Sequence, residues 1–300
     1  MKMYTKINLV LIVIISLLLG SVSIQCKKTP TEPEGTVSLD TNLIPWQRIT
    51  GKIAFSSLTT TGTKGTQAFL FVIDGDSRKA KLLKVNDAVQ FTNLTWSNDG
   101  LKLTYSQFDM SNPKWQLYNI NSDGTNETAV FAAGNSYPSW SNDGRLAHWY
   151  NGQIWIGYSL FYSKSYCEQT RPSWSPDNKY MVIAMHDGIY RVSLADTSAL
   201  QLIKGSYLSS PAYSPDGNKI AFVGTNSNGE IWTMNADGSN QLRLTQYQED
   251  FYPAWSPDGK QILFMRLVPE GFTRLFLMNS DGSQQVQITQ NSAGYPTWIQ

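Results

Sequence analysis

Short apolar runs separated by polar turns recur along the whole chain, and their alternation is that of β-strands rather than helices. After each "SPDG"-like turn comes a strand pattern such as "KLTYSQ", "KIAFVG" or "QILFMR". A variable stretch follows, then a second strand such as "QLYNIN", "EIWTMN" or "RLFLMN". A further turn ("NSDGTN", "NADGSN", "NSDGSQ") leads into a fourth strand ending "LRLTQ" or "VQITQ". The unit therefore predicts strand, tight turn, strand, loop, strand, tight turn, strand. An aromatic residue marks each unit: Trp96, Trp140, Trp174, Tyr213, Trp255 and Trp298, with steps of 44, 34, 39, 42 and 43 residues. A period near 40 residues holding four strands is that of a propeller blade.

The spelling of the first turn has a physical reason. Pro presets φ for a type I turn, Gly then takes a left-handed conformation at little cost, and Ser or Asp bonds the turn's own amides. Asn98 and Asn142 replace Pro, and Asn178 stands where Gly217 stands in another unit. Asn is the next most tolerant residue for that backbone. The aromatic itself reads as a packing unit between neighbouring blades. Five units start at Trp96, Trp140, Trp174, Tyr213 and Trp255. A sixth is split, with "YPTWIQ" supplying one strand and "GKIAFSS", "AFLFVID" and "AKLLKV" supplying three. The expected fold is all-β: a six-bladed β-propeller of four-stranded antiparallel blades, its ring closed by strands from both termini, which leaves no open edge in the ring.

The lines "YPAWSPDGKQILF", "SPAYSPDGNKIAF", "MNADGSNQLRLT" and "MNSDGSQQVQIT" resemble the WD40-like repeats of the TolB-type propeller family, over roughly residues 46 to 300. The resemblance implies a six-bladed scaffold of the kind that binds other proteins in the bacterial envelope, TolB being a periplasmic partner of the Tol–Pal system. TolB carries an α/β domain before its propeller. Here about 20 residues separate Cys26 from Trp46, too few for such a domain.

The N-terminus changes the picture of location. "MKMYTK" is basic, "INLVLIVIISLLLG" is apolar, and "SVSIQC" ends in Cys26 before a polar, Pro-containing stretch. That order reads as an export signal. The Cys resembles the acylated residue of a bacterial lipoprotein, although Gln25 and Ser23 depart from that pattern; an ordinary cleaved signal or an anchor over residues 7 to 24 are the alternatives. The expected organisation is a signal over 1–25, a polar linker over 26–45 after lipidated Cys26, and the propeller over 46–300. The folded part is expected in the bacterial cell envelope, periplasmic or associated with the outer membrane.

Charge adds an exclusion. Without the first 25 residues the chain holds 22 bases against 23 acids, so no positive field invites nucleic acid. With Cys26 acylated, Cys167 has no partner, so no disulfide framework is expected. Only His148 and His186 are present, which argues poorly for a metal. His148 aligns with Phe222 and Phe264 and is expected in the core, His186 in a short loop. No Gly-x-Ser-x-Gly elbow or His-Glu-x-x-His appears. Asp-rich turns such as "NINSDGTNE" lack the ends of a calcium loop. No catalytic residue, metal or cofactor is assigned.

Both kinds of tight turn should lie on one face, leaving the variable loops on the other, where recognition is expected. The position three before each motif aromatic should face the mouth of the central channel: Asn93, Tyr137, Arg171, Ser210, Tyr252 and Tyr295. Tyr and Arg are enriched at binding hot spots. Acids lie just upstream at Glu168, Glu249 and Asp250, and Phe108, Phe251 and Phe272 lie in nearby loops. The expected function is non-catalytic binding of an envelope protein or peptide. The alternative is a carbohydrate-binding or carbohydrate-processing propeller using Trp115, Trp149, Trp155 and Trp232, although these fall mostly on predicted strands. Paired carboxylates with exposed aromatics in one channel mouth would favour the second reading, and a Tyr/Arg rim the first.

Overall fold

The computed structural model describes residues 39–61, 65–131, 133–163, 171–205, 207–224, 229–246 and 249–299. Twenty-four strands form six four-stranded antiparallel sheets, and each sheet is one blade. Blade A holds β1 (Lys52–Thr61), β2 (Gly65–Asp74) and β3 (Lys79–Asp87), and blade B holds β4 (Val89–Trp96), β5 (Lys102–Asp109), β6 (Lys114–Asn121) and β7 (Thr128–Val130). Blade C comprises β8 (Ser136–Trp140), β9 (Leu146–Tyr150), β10 (Gln153–Ile156) and β11 (Ser159–Tyr162). In blade D, β12 (Ser173–Trp174), β13 (Tyr180–Met185), β14 (Gly188–Ser193) and β15 (Ala199–Lys204) follow in order. Blade E is β16 (Ser209–Tyr213), β17 (Lys219–Gly224), β18 (Glu230–Asn235) and β19 (Leu242–Arg243). Blade F is β20 (Asp250–Trp255), β21 (Gln261–Leu267), β22 (Thr273–Asn279) and β23 (Val286–Gln287). The last strand, β24 (Gly294–Ile299), pairs antiparallel with β1 as the innermost strand of blade A, so strands from the two ends of the propeller close the ring as the sequence predicts.

The five complete turns after the motif aromatics repeat one hydrogen-bond pattern. Ser97, Ser141, Ser175, Ser214 and Ser256 each donate from Oγ to the Asp two residues on, at 2.5–2.7 Å. Each Oγ also accepts from the backbone N–H that begins the next strand, at 2.7–2.9 Å. Asn178 has φ +57°, beside +73° at Gly217, so Asn does take the left-handed position that Gly takes elsewhere. The Ser hydroxyl, ahead of the backbone N–H groups, holds the Asp99, Asp177 and Asp216 carboxyls below their ordinary values.

The motif aromatics work between blades. Trp174 Nε1 donates to the Ser139 carbonyl of blade C at 3.0 Å, and Trp255 Nε1 donates to the Ala212 carbonyl of blade E at 3.0 Å. Trp140 reaches Thr104 Oγ1 in blade B at 2.8 Å. Within blades, ring-on-ring pairs recur across the second and third strands: Phe55–Phe71, Tyr105–Tyr118, Phe222–Trp232 and Phe264–Phe276, with centroids 5.4–6.5 Å apart. His148 occupies that place in blade C, opposite Trp155, with its ring centroid 4.3 Å from that of Phe131 at a tilt of 32°. It is buried, with Nε2 2.9 Å from the Gly157 carbonyl.

The expected linker is partly core. Residues 39–45 precede the predicted start of the propeller, yet Ile44 is buried in the cluster formed with Ile49, Phe55 and Leu263, and Leu39 packs against it. Their apolar side chains meet the seam between blades F and A, so the packed region starts earlier than composition suggests. The expected signal and Cys26 lie outside the described residues, as do Cys167 and Glu168. Among the described residues no helix is long and apolar enough to cross a membrane.

Candidate functional site: the central channel

Both kinds of tight turn close the same face, because each joins strands that run in opposite directions from it. The opposite face carries the hairpins between second and third strands, and these are unequal. In blade A, β1 and β2 run ten residues each, paired out to Thr61 and Gly65. In blade D, β13 and β14 run six residues each and turn at His186–Asp187. Blade C turns at Asn151–Gly152. At about 3.3 Å per residue, the blade A hairpin stands on the order of 13 Å taller. Blades F, A and B, consecutive in the ring, therefore carry long hairpins, and blades C and D form a low side. β1 continues through the Thr-rich run "LTTT", a composition that favours strand.

Five of the six innermost strands have a register shift just before the motif aromatic: between Thr92 and Thr95, Ser136 and Ser139, Ser209 and Ala212, and Phe251 and Ala254, with a matching one where β24 meets β1; β12 of blade D pairs with β13 without one. Three residues of the inner strand face two of its partner, which is a bulge. Five of the six predicted channel residues sit in it, whereas Arg171 lies ahead of β12 and outside any bulge. Asn93, Tyr137, Ser210, Tyr252 and Tyr295 all have φ between +51° and +55°. A left-handed non-Gly residue costs of order 1 kcal/mol or more, so the same strain is repeated around the ring. In four blades Pro follows at once, where the ladder has lost its donor anyway.

The bulge turns Asn93, Tyr137, Tyr252 and Tyr295 toward one another. Tyr252 and Tyr295 have ring centroids 4.7 Å apart and are hydrogen-bonded through their side chains. Asn93 bonds the Tyr137 hydroxyl, and Tyr137 interacts electrostatically with Tyr252 and Tyr295. Arg171 Nη1 donates to the Leu94 carbonyl at 2.8 Å, which takes it from blade D to blade B across the channel. Burial pulls the Arg171 guanidinium down to about 10, with the Tyr252 phenol acting the other way. Burial also pushes the Tyr137, Tyr252 and Tyr295 phenols upward. Tyr137, Arg171, Ser210, Tyr252 and Tyr295 each keep part of their surface open, while Asn93 is buried. The set thus sits down inside the channel and not on its rim, as the sequence reading has it. In five blades the reason is the bulge, which aims the residue inward from mid-strand; Arg171, ahead of β12, reaches in on its long side chain.

Asp250 does not join this set. Asp250 is fully buried and gripped by Arg266, Nε to Oδ1 at 2.6 Å and Nη2 to Oδ2 at 2.9 Å. That corrects its assignment to the binding surface: Asp250 is the first residue of β20 and points into the blade, where it neutralises Arg266. Burial raises its carboxyl from the ordinary value despite that partner. Of the aromatics, Phe108 pairs with Trp115 at 5.0 Å on the blade B hairpin and is half-buried, as is Phe272 on the blade F hairpin. Phe251 packs into the core on both sides of blade F instead. Trp115, Trp149, Trp155 and Trp232 all lie on strands and are half-buried. Among the described residues no group of three or more His, Cys, Asp or Glu side chains could hold a metal ion.

Comparison with known proteins agrees with this architecture. Among solved structures, TolB from Acinetobacter baumannii superposes with a TM-score of 0.69 at 21% identity, covering 82% of this chain and 66% of that one. A protein assigned as TolB from Agrobacterium tumefaciens gives 0.61 at 20% identity, covering 82% and 91%. Kuenenia stuttgartiensis hydrazine synthase gives 0.60 at 12%, covering 83% of this chain and 46% of that one. At such identities the likeness is one of fold, and this chain spans just under two thirds of the A. baumannii protein. No curated protein sequence matches the chain. The profile of the TolB beta propeller domain matches residues 48–300, and the chain belongs to that family.

Proposed function

We propose that this chain is a non-catalytic protein of the bacterial cell envelope, anchored by a lipid on Cys26, whose propeller binds a protein or peptide partner through its loop-bearing face and channel. The observation that carries this reading is the convergence of Asn93, Tyr137, Arg171, Tyr252 and Tyr295 from five blades, giving three phenols and a guanidinium at the centre. Tyr and Arg suit protein recognition because they offer large contact area with few rotatable bonds to order. The low rim at blades C and D leaves room for a chain to enter over the His186 loop. Family membership supports the location and the partner class. The carbohydrate reading has less behind it: the surplus Trp residues pack on strands, and Asp250 is committed to Arg266.

Crosslinked capture from envelope extract tests the proposal, comparing the chain with a folded variant carrying Arg171→Glu, Tyr252→Ala and Tyr295→Ala. A protein captured by the first and lost by the second is the expected outcome. Equal capture by both would remove the channel from the account, and no capture by either would remove the binding function.

A further inference from the structure

The channel holds a cation without an anion. Arg171 stands beside Tyr252, which in turn interacts with Tyr137 and Tyr295, and its guanidinium has five N–H donors, of which Nη1 is directed to the Leu94 carbonyl. Among the described residues no carboxylate pairs with it, and the acid expected nearest, Asp250, is held by Arg266. A charge taken out of water is costly unless it is paired. A second group in the same cluster is also unsatisfied: Asn93 Oδ1 is buried and has no hydrogen-bond partner. Asn93 is 4% exposed, and its Nδ2 is occupied by Thr92 Oγ1 at 3.1 Å.

We propose that Arg171, with the hydroxyls of Tyr137, Tyr252 and Tyr295, forms a seat for a single carboxylate that the peptide or protein partner inserts into the channel. This rests on the binding function proposed above and names the group recognised. The planar guanidinium fork matches a carboxylate through two parallel N–H···O bonds. The Tyr137 hydroxyl and one hydroxyl of the bonded Tyr252–Tyr295 pair are donors that supply further bonds to its oxygens, and burial keeps them protonated. Asn93 Oδ1 is then an acceptor for an N–H of the chain that bears the carboxylate. Charge count selects the anion: Arg171 is the one cation among the six ring positions. One positive charge balances a carboxylate, whereas a phosphate dianion would be left with excess charge in a dry site.

The test uses the full chain and three variants, Arg171→Met, Arg171→Lys and Tyr252→Phe, each checked for an unchanged urea midpoint. The probes are N-acetylglutamate, N-acetylglutamine amide as its uncharged counterpart, and inorganic phosphate, read by saturation-transfer difference NMR at constant ionic strength. The expected result is binding of N-acetylglutamate alone. Arg171→Met should weaken it at least tenfold, Tyr252→Phe severalfold, and Arg171→Lys less than Arg171→Met. No signal from N-acetylglutamate, an equal signal in Arg171→Met, or tighter binding of phosphate would each overturn the carboxylate seat. Partner capture separates the two claims. Capture that persists in Arg171→Met, with no N-acetylglutamate binding, leaves the binding function standing and removes the seat. Arg171-dependent N-acetylglutamate binding without any captured partner does the reverse.

Discussion

Two rings of residues run around this propeller, one at the turn-bearing face and one inside the channel, and they differ in what repeats. In the turn ring both backbone and side chains repeat: five Ser–Asp pairs make the same bonds within 0.2 Å of one another. In the channel ring the backbone repeats in five blades, with φ near +53°, but the side chains it carries are Asn, Tyr and Ser, and the sixth position holds Arg171 on a different backbone. The turn ring has one answer because its task, closing a hairpin, is the same in every blade. The channel ring shares only the device that aims a residue inward. What is aimed is free to differ, and that freedom is where a binding site can be written onto a repeat. Recurrence alone does not mark a residue as architectural.

Breaking the architecture should have the largest effects. Asp250→Asn leaves Arg266 buried without its anion and should cost about 3–5 kcal/mol of stability. Trp255→Ala removes a buried ring and its bond to the Ala212 carbonyl, with a similar loss of about 3–5 kcal/mol. Urea unfolding measures both, and neither should be rescued by a partner-site ligand. Ser214→Ala strips one turn of two bonds and should cost about 1 kcal/mol while leaving partner capture unchanged. Loss of capture in that variant would blur the division between the two rings.

How much of this was legible beforehand follows from the same division. The blade count, the turn chemistry and the left-handed Asn178 were readable, because each rests on local residue preferences repeated several times in one chain. The core placement of His148 was readable by alignment with Phe222 and Phe264. The bulge was not, since nothing in "FTNLTW" or "FYPAW" distinguishes a regular strand from one with an extra residue; only the recurring Pro after Tyr hinted at a broken ladder. Asp250 was misplaced because an acid next to a presumed rim looks exposed until its partner, 16 residues away on the next strand, is seen. Ile44 was assigned to a linker for want of any pattern around it.

Subtler tests sharpen the contrast. Burial holds the His148 imidazole below its ordinary value, so the folded state resists protonation. Stability is complete above the unfolded-state value of about 6.5 and is lost as pH falls from there through the depressed folded-state value. His148→Phe, which restores the residue type of the sister blades, should flatten that part of a pH–stability curve. Tyr252→Phe should cost no more than about 1 kcal/mol of stability, because the ring stays and only the hydroxyl bonded to Tyr295 is lost, yet it should reduce partner capture.

The most direct test compares partner capture by three forms of the chain in one experiment: unaltered, with Ser97→Ala and Ser214→Ala at the turn face, and with Arg171→Glu, Tyr252→Ala and Tyr295→Ala in the channel. The account predicts that the turn-face form captures the same partner as the unaltered chain and that the channel form does not. Capture retained by the channel form, with its fold intact, would contradict it.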